Sequence, residues 1–278
     1  MEAVQLFGAS IPLVPLLLLV AGVLVALLGK LLRAPFDVSD DFLKLVLVSL
    51  VAGRVVFVFL HLDAYRDNAW AVLDIRDRGV DIYAALITAV VYLAWLIYRR
   101  AAQRKWLLQI LLPVALLTGG SYVLLKSYLR PPSLWPDLTF VTLANETRSS
   151  QSVRLQTDVQ REFTLVNLWA TWCPPCHREM PVLAAAQHEF PQGRFILLNQ
   201  GESAEVVRDY LVKNNLQFEQ VWLDTQSQFS QFSGNRGLPL TLIYDKQGKL
   251  VDGHVGQLSR ATLMEKLSGF KPKKYTDD

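Results

Sequence analysis

The hydrophobic and polar positions divide the chain into two halves with different patterns. Before Lys126 the apolar residues form runs of about 20 residues each, the length that a helix needs to cross a bilayer. There are four such runs: Ile11–Leu32, Phe42–Leu62, Gly79–Tyr98 and Trp106–Leu125. After Asp137 the apolar runs are short and alternate with amphipathic segments, which is typical of an α/β domain. The pattern therefore predicts a membrane α-helical bundle of about four transmembrane helices, followed by an α/β domain.

Within the second half, the most apolar run is Phe163–Trp169, which predicts a buried strand, and His177–Phe190 has the periodicity of a helix. The other predicted elements follow the same logic. They are a leading hairpin of Leu138–Leu143 and Ser152–Leu155, a strand at Phe195–Asn199, a helix at Ser203–Lys213, a strand at Val221–Leu223, a hairpin of Leu240–Tyr244 and Lys249–Val255, and a closing helix at Ser259–Leu267.

Composition supports two domains joined by a spacer. Hydrophobic residues make up 51% of the chain and charged residues only 19%, which is too apolar for a wholly soluble protein. Residues 127–137 contain three prolines and no apolar periodicity, so they predict a stiff, extended spacer. We expect a membrane domain over 1–126, the α/β domain over 138–270 and a solvated tail over 271–278.

Basic residues predict the orientation of the helices. The connection between the third and fourth apolar runs carries basic residues without an acid and is expected in the cytoplasm. These residues are Arg99, Arg100, Arg104 and Lys105. Both termini then lie outside, which places the α/β domain in the periplasm of a bacterial inner membrane. The net charge of +3 gives no reason to expect a nucleic-acid partner.

The two cysteines of the sequence, Cys173 and Cys176, lie between the predicted strand and helix. A Cys-x-x-Cys pair in that place is the redox geometry of the thioredoxin class. The first sulfur lies at a helix N-terminus, where free N–H groups favour the thiolate, and the second can attack a mixed disulfide. We predict that Cys173 is the nucleophile and Cys176 the resolving thiol. Because Pro174 and Pro175 have no N–H, the thiolate gains fewer hydrogen bonds, which predicts a reducing couple.

These residues resemble the thioredoxin superfamily and, within it, the membrane-tethered TlpA/ResA/DsbE-type disulfide reductases. The residues that carry the resemblance are Val166-Asn167-Leu168-Trp169-Ala170-Thr171-Trp172-Cys173-Pro174-Pro175-Cys176, Glu179, Pro181 and Gly237-Leu238-Pro239-Leu240-Thr241. The resemblance implies a thioredoxin-like fold in which Pro239 is a cis-proline and Leu238 presents its backbone to an extended substrate.

The resemblance also assigns an acid to the site. Thioredoxins proper carry a buried Asp where Asn167 stands, and Glu179 is the acidic neighbour usual in the TlpA-type proteins, so we expect Glu179 to tune the buried thiol. The alternative is that Glu179 is an exposed helix acid. Trp172 is expected to form an apolar rim that contacts the substrate, together with Leu238, Pro174 and Pro175.

The first half resembles another family, the prolipoprotein diacylglyceryl transferases. The likeness lies in Ala52–Phe57 and Asp74–Leu86. The family places His-Gly-Gly where Tyr83-Ala84-Ala85 stands, and its Arg-Gly-Asn signature is missing here, so acyl transfer is not expected. Arg54 lies inside an apolar run, where a charge is costly. It either contacts a lipid headgroup or a partner through a polar pocket with Asp81, or forms a structural pair with Asp81 or an outer-loop acid.

The favoured function is a membrane-anchored periplasmic thiol–disulfide oxidoreductase that reduces disulfides in partner proteins. Candidate partners are proteins of cytochrome c or copper-site maturation, together with membrane lipids. No cofactor or metal is expected beyond the redox-active Cys173–Cys176 pair. Since the first half has no cysteine, a separate membrane thiol reductase must supply the electrons. Two alternatives stay open: a Cu(I) or Zn metallochaperone with His177 as a third ligand, and a transferase-related activity of the membrane domain.

Overall fold

The computed structural model describes residues 3–6, 9–66, 69–77, 79–128, 133–143, 149–156 and 160–270. The predicted tail over 271–278 and the middle of the predicted spacer, 129–132, lie outside these residues. Contacts within the chain divide it into a helical unit, Ile11–Leu129, and an α/β unit from Arg130 onward. Two short strands, β1 (Ala3–Leu6) and β2 (Ala9–Pro12), pair with each other ahead of the first helix.

The helical unit contains four long apolar helices. They are α1 (Leu13–Leu31), α2 (Val38–Leu60), α3 (Ile82–Arg99) and α4 (Arg104–Tyr128). All four are long and apolar enough to cross a membrane, so the four predicted spans are confirmed. Helix α2 packs against α1 and α3, and α1 also packs against α4. The core between them is small, while residues such as Val51 and Val90 are exposed, which suits helices that face lipid.

The α/β unit is built on a seven-stranded sheet with the order β4-β3-β7-β6-β5-β8-β9. The strands are β3 (Thr139–Thr142), β4 (Ser152–Arg154), β5 (Phe163–Trp169), β6 (Gly193–Gln200), β7 (Val221–Asp224), β8 (Leu240–Asp245) and β9 (Leu250–Val255). Strands β5, β6 and β7 run parallel, and the other neighbours are antiparallel. Every strand predicted from the sequence is confirmed.

Four helices accompany this sheet: α5 (Pro174–Glu189), α6 (Ala204–Lys213), α7 (Gln228–Ser233) and α8 (Arg260–Lys266). Helix α5 includes the turn before the periodic segment His177–Phe190, with Cys173 as its N-cap, so the predicted place of the first sulfur at a helix N-terminus is confirmed. Proline is well suited to the first helical position. The short helix α7 was not predicted. Its first turn is fixed by Asp224, whose carboxylate accepts hydrogen bonds from the backbone N–H groups of Gln228 and Phe229.

Strand β5 is the most completely buried strand of the sheet, since all seven of its residues are buried. Its side chains alternate between two apolar clusters, one on each face of the sheet. Leu165 and Trp169 join the cluster that contains Met180 and Leu183 of α5, and Val166 joins the other. A strand buried on both faces has a continuous apolar sequence, which explains why β5 was the clearest element to predict.

The last part of the predicted spacer is attached to the sheet and is not free. The backbone N–H of Trp135 donates to the Gly248 carbonyl at 3.1 Å, and that of Leu250 donates to the Ser133 carbonyl at 2.7 Å. The indole of Trp135 packs beside the ring of Tyr244 and so closely over Gly248 that a Cβ there would lie 2.6 Å from it. The predicted spacer thus contains an apolar residue, Trp135, that packs on the domain.

Candidate redox site at the start of helix α5

The two sulfurs lie where strand β5 passes into helix α5. Cys173 and Cys176 form a disulfide with an S–S distance of 2.11 Å. Both residues are almost fully buried, with Cys173 2% exposed. The backbone N–H of Cys176 donates to the Cys173 Sγ at 3.3 Å. Since Pro174 and Pro175 have no N–H, this is the first amide of the helix that can reach the sulfur, in agreement with the prediction.

A second loop contributes the proline that the sequence singled out. The Leu238–Pro239 peptide bond is cis, which confirms the prediction for its geometry. Leu238 is half-buried and packs against the apolar cluster that includes both cysteines. The Pro239 carbonyl accepts a hydrogen bond from the N–H of Gly256 at 2.9 Å, so the loop is fixed to the end of β9.

Glu179 lies fully buried, one turn after Cys176 on the same face of α5. Its two carboxylate oxygens accept hydrogen bonds from the Asn167 Nδ2 at 2.7 Å and from the Leu258 backbone N–H at 2.8 Å. Burial raises the pKa of Glu179 to about 8, although the two hydrogen bonds act in the opposite direction. The alternative reading of Glu179 as an exposed helix acid is therefore wrong.

Asn167 connects this acid to the neighbouring strand. Its Nδ2 also donates to the Thr241 Oγ1 at 3.0 Å, so one amide joins β5, β8 and α5. The pairing of Asn167 with Thr241 in the sheet register explains the contact. The sequence analysis did not assign a role to Thr241 or Leu258, because neither contact follows from local spacing along the chain.

The predicted substrate-contacting residues differ in exposure. Trp172 is 67% exposed, whereas Trp169, three residues earlier, is fully buried. Pro174 is also exposed, and Pro175 and Leu238 are half-buried. An exposed aromatic ring beside two buried sulfurs is a surface that a partner protein can cover. Contact with a substrate stays a prediction for these four residues.

The turn before Cys173 is held by residues that the sequence analysis missed. The Glu202 carboxylate accepts hydrogen bonds from the Thr171 N–H at 2.7 Å, the Thr171 hydroxyl at 2.5 Å and the Asn199 Nδ2 at 2.6 Å. On the other side, the His177 Nε2 lies 2.6 Å from the Thr171 carbonyl oxygen and so donates to it. The topology could have indicated Glu202, because residues that follow neighbouring parallel strands meet at one edge of a sheet.

Arg54 in the helical unit binds an outer-loop acid. Its Nη1 lies 3.0 Å from the Asp77 Oδ1, and its remaining N–H groups donate to backbone carbonyls. These carbonyls belong to Ala71, Val72, Asp74 and Gly79. Asp81 instead caps helix α3 by accepting from the Ala84 N–H at 2.7 Å. Of the two structural partners predicted for Arg54, the loop acid is therefore confirmed and Asp81 is wrong. A carboxylate directly before a helix satisfies the free N–H groups of its first turn.

The metal alternative named Cys173 and Cys176 as ligands, with His177 as the third. Within the described part of the chain, no group of three or more His, Cys, Asp or Glu side chains is placed to hold an ion. His177, the third ligand in that alternative, uses its Nε2 for the Thr171 carbonyl.

Comparison with known proteins supports both resemblances. A family model described as Redoxin matches residues 133–267, and one described as Prolipoprotein diacylglyceryl transferase matches residues 4–121. The thiol-disulfide oxidoreductase ResA of Geobacillus thermodenitrificans is 33% identical over 118 residues, which cover 42% of this chain and 67% of that protein. The chain belongs to the ResA-type thiol-disulfide oxidoreductases. The thioredoxin-like protein YneN of Bacillus subtilis is 29% identical over 174 residues, covering 59% of this chain and 97% of YneN.

Solved structures also match the ResA-type half. StoA from Bacillus subtilis has 19% identity and a TM-score of 0.39, with 48% of this chain and 98% of StoA covered. A thiol:disulfide interchange protein of the thioredoxin family from Chlorobium tepidum has 23% identity and a TM-score of 0.41, with coverages of 50% and 95%.

Proposed function

We propose that this chain reduces disulfides in partner proteins on the extracytoplasmic side of a membrane, with Cys173 as nucleophile and Cys176 as resolving thiol. One observation carries the proposal: the two sulfurs are bonded to each other at the first turn of α5, directly after a buried strand. In that position the sulfur of Cys173 faces the N–H groups and the positive end of the helix dipole, which favour a thiolate.

The cycle begins with both cysteines reduced. The Cys173 thiolate attacks one sulfur of the partner disulfide, a new S–S bond forms, and the other partner sulfur leaves as a thiolate. Cys176 then loses its proton and attacks the Cys173 sulfur, which releases the second partner thiolate. The partner gains two electrons, and the Cys173–Cys176 pair becomes the disulfide seen in the structure.

Glu179 is the group we assign to the proton of Cys176. It lies one turn further along the same helix face, and its pKa of about 8 is near that of a free thiol, about 8.5. Two groups with similar pKa values exchange a proton at little cost, which is the condition for general acid–base catalysis. Asn167 and the Leu258 amide hold the carboxyl in place.

The reducing direction follows from the number of N–H donors near Cys173. The positions after it, Pro174 and Pro175, supply none, so the Cys176 amide, 3.3 Å from the sulfur, is the first donor of the helix that reaches it. A thiolate with few hydrogen bonds makes the reduced form less stable, so the pair gives up its electrons more readily. Oxidising pairs depend on a strongly stabilised thiolate.

The extracytoplasmic location rests on the charges at the helix ends. The connection between α3 and α4 carries Arg99, Arg100, Arg104 and Lys105 and should remain in the cytoplasm. Helix α4 then leads across the membrane toward the α/β unit. We propose the bacterial inner membrane and the periplasm as the setting, with the helical unit as anchor. Because this unit has no cysteine, the electrons must come from a separate membrane protein with a dithiol.

The proposed function is tested with the purified full-length chain in lipid nanodiscs. We expect the pre-reduced chain to reduce the disulfides of insulin, and Cys173→Ser to abolish this reaction. We also expect equilibration with glutathione buffers to leave the Cys173–Cys176 pair oxidised, at a reduction potential below about −200 mV, the range of reducing pairs. A potential near about −120 mV, that of strong oxidants, would overturn the reducing direction.

A further inference from the structure

We propose that Glu202 and His177 are positioning residues that fix Trp172 in the conformation in which it contacts a partner protein. This inference deepens the proposed function, since it needs a protein disulfide as the substrate. It concerns the turn of residues 170–172, which joins the end of β5 to the nucleophile Cys173.

The position of Glu202 follows from the sheet. Strands β5 and β6 run parallel, with Trp169 paired to Asn199, so the segments after both strands leave the sheet at the same edge. Glu202 lies in the segment after β6, and its carboxylate reaches across to the segment after β5. There it accepts from the N–H and the hydroxyl of Thr171, while the Asn199 amide holds the same carboxylate from below.

His177 holds the other side of Thr171. Its ring donates from Nε2 to the Thr171 carbonyl, and the ring itself lies against Tyr210 of α6, with the centroids 5.0 Å apart. Both peptide groups of Thr171 are therefore fixed, one by Glu202 and one by His177. The second of these peptide groups leads directly into Trp172, so its plane sets the direction in which the indole leaves the backbone.

The exposure of Trp172 explains why the backbone before it needs these hydrogen bonds. A large aromatic side chain that is 67% exposed makes few packing contacts of its own, so packing does little to order it. Hydrogen bonds to the preceding residue order the backbone instead, and the turn is completed by the Cys173 N–H on the Ala170 carbonyl at 3.2 Å. A side chain ordered before binding loses less entropy when a partner covers it. Aromatic residues ordered in this way are frequent anchors of protein interfaces.

The test is a double-mutant cycle in the pre-reduced full-length chain in nanodiscs, with insulin and the small disulfide 5,5′-dithiobis(2-nitrobenzoate) as alternative oxidants. Glu202→Gln should lower the second-order rate constant with insulin about tenfold, and the constant with the small disulfide about twofold or less, because only insulin covers Trp172. In a Trp172→Ala background, Glu202→Gln should have no further effect on insulin. Such non-additivity means that one residue acts through the other.

Two further variants keep the result interpretable. Thr171→Val keeps the size of the side chain and removes only its hydroxyl contact, so it should lower the insulin rate constant about threefold, again only while Trp172 is present. Glu205→Gln makes the same charge change three residues away, at an exposed position in the first turn of α6, and should leave both rates as they are.

The inference would be overturned if the effects of Glu202→Gln and Trp172→Ala on the insulin rate constant multiplied. It would also be overturned if Glu202→Gln lowered the rate constants with insulin and with the small disulfide by the same factor. Either result would leave Glu202 as a structural residue. The proposed function would stand in that case, since the wild-type chain would still reduce insulin. Failure of the wild-type chain to reduce insulin would instead overturn the proposed function, and this inference with it.

Discussion

Each of the two units buries an ionisable group, and the surroundings of the two groups differ. In the helical unit, the guanidinium of Arg54 is 12% exposed and is surrounded by the Asp77 carboxylate, itself 2% exposed, and by backbone carbonyls. In the α/β unit, the buried carboxyl of Glu179 has two neutral N–H groups as its hydrogen-bond donors.

The difference separates a structural charge from a chemical one. Arg54 has an opposite charge and an acceptor for each of its N–H groups, so burial costs it little and its contacts fix the loop between α2 and α3. The burial of Glu179 is only partly compensated, which moves its pKa to about 8, where a proton can leave and return near neutral pH. Incomplete compensation of a buried charge thus indicates where chemistry takes place.

The largest effect on the reaction is expected at Glu179. Glu179→Gln removes the proton acceptor while it keeps the shape, so we expect resolution of the mixed disulfide by Cys176 to slow about 100-fold. Rapid acid quench of the reaction with insulin, followed by separation of the mixed disulfide, measures this step. Glu189→Gln, at the other end of α5, is the matched control. Resolution within twofold of wild type in Glu179→Gln would remove the acid–base role.

The largest effect on stability is expected at Arg54. Arg54→Ala removes the cation beside the buried Asp77 carboxylate, which should destabilise the helical unit by about 3–5 kcal/mol. Arg54→Lys should also destabilise it, because an ammonium group cannot replace the guanidinium fork. Thermal denaturation in nanodiscs measures both variants. Wild-type stability together with loss of lipid or partner binding would instead favour the headgroup contact.

The pH dependence of stability tests the raised pKa itself. Between pH 4.5, the ordinary pKa of the carboxyl, and about 8, folded Glu179 keeps its proton while the unfolded chain has lost it. The free energy of unfolding should therefore fall as the pH rises through this window, by about 3–5 kcal/mol.

Glu179→Gln should lack this loss, so the variant gains on wild type between pH 5 and pH 8. Calorimetry of the full chain measures this stability. The unfolding transition of the α/β unit is identified as the one whose midpoint shifts when dithiothreitol reduces the Cys173–Cys176 disulfide. Parallel stability curves for the two proteins would show that Glu179 does not titrate in this range.

The smallest effect is expected at Asp81. Because its carboxylate caps helix α3, Asp81→Ala should cost about 1 kcal/mol, and Asp81→Asn, which can still cap, clearly less. The same denaturation experiment measures this difference. A loss as large as that of Arg54→Ala would mean that Asp81 belongs to the arginine site after all.

The sequence was sufficient for features that depend on local pattern. The four apolar runs and the buried strand β5 are continuous along the chain, and the Cys-x-x-Cys spacing needs only one helical turn. What the sequence did not give depends on long-range geometry. Glu202, which follows β6, contacts Thr171, which follows the neighbouring strand β5. Leu258 is 79 residues away from Glu179 along the chain. The pairing of Arg54 with Asp77 depends on how the loop between α2 and α3 folds back. Helix α7 is too short for periodicity to reveal it.

The most direct test of the central claim is capture of the mixed disulfide with the full-length chain in nanodiscs. The account predicts that pre-reduced Cys176→Ser, mixed with insulin, accumulates a disulfide between Cys173 and an insulin chain, detected by mass spectrometry and cleaved by dithiothreitol. Cys173→Ser should accumulate none. Accumulation through Cys176 in the Cys173→Ser variant, or none in either variant while wild type still reduces insulin, would contradict the assignment of nucleophile and resolving thiol.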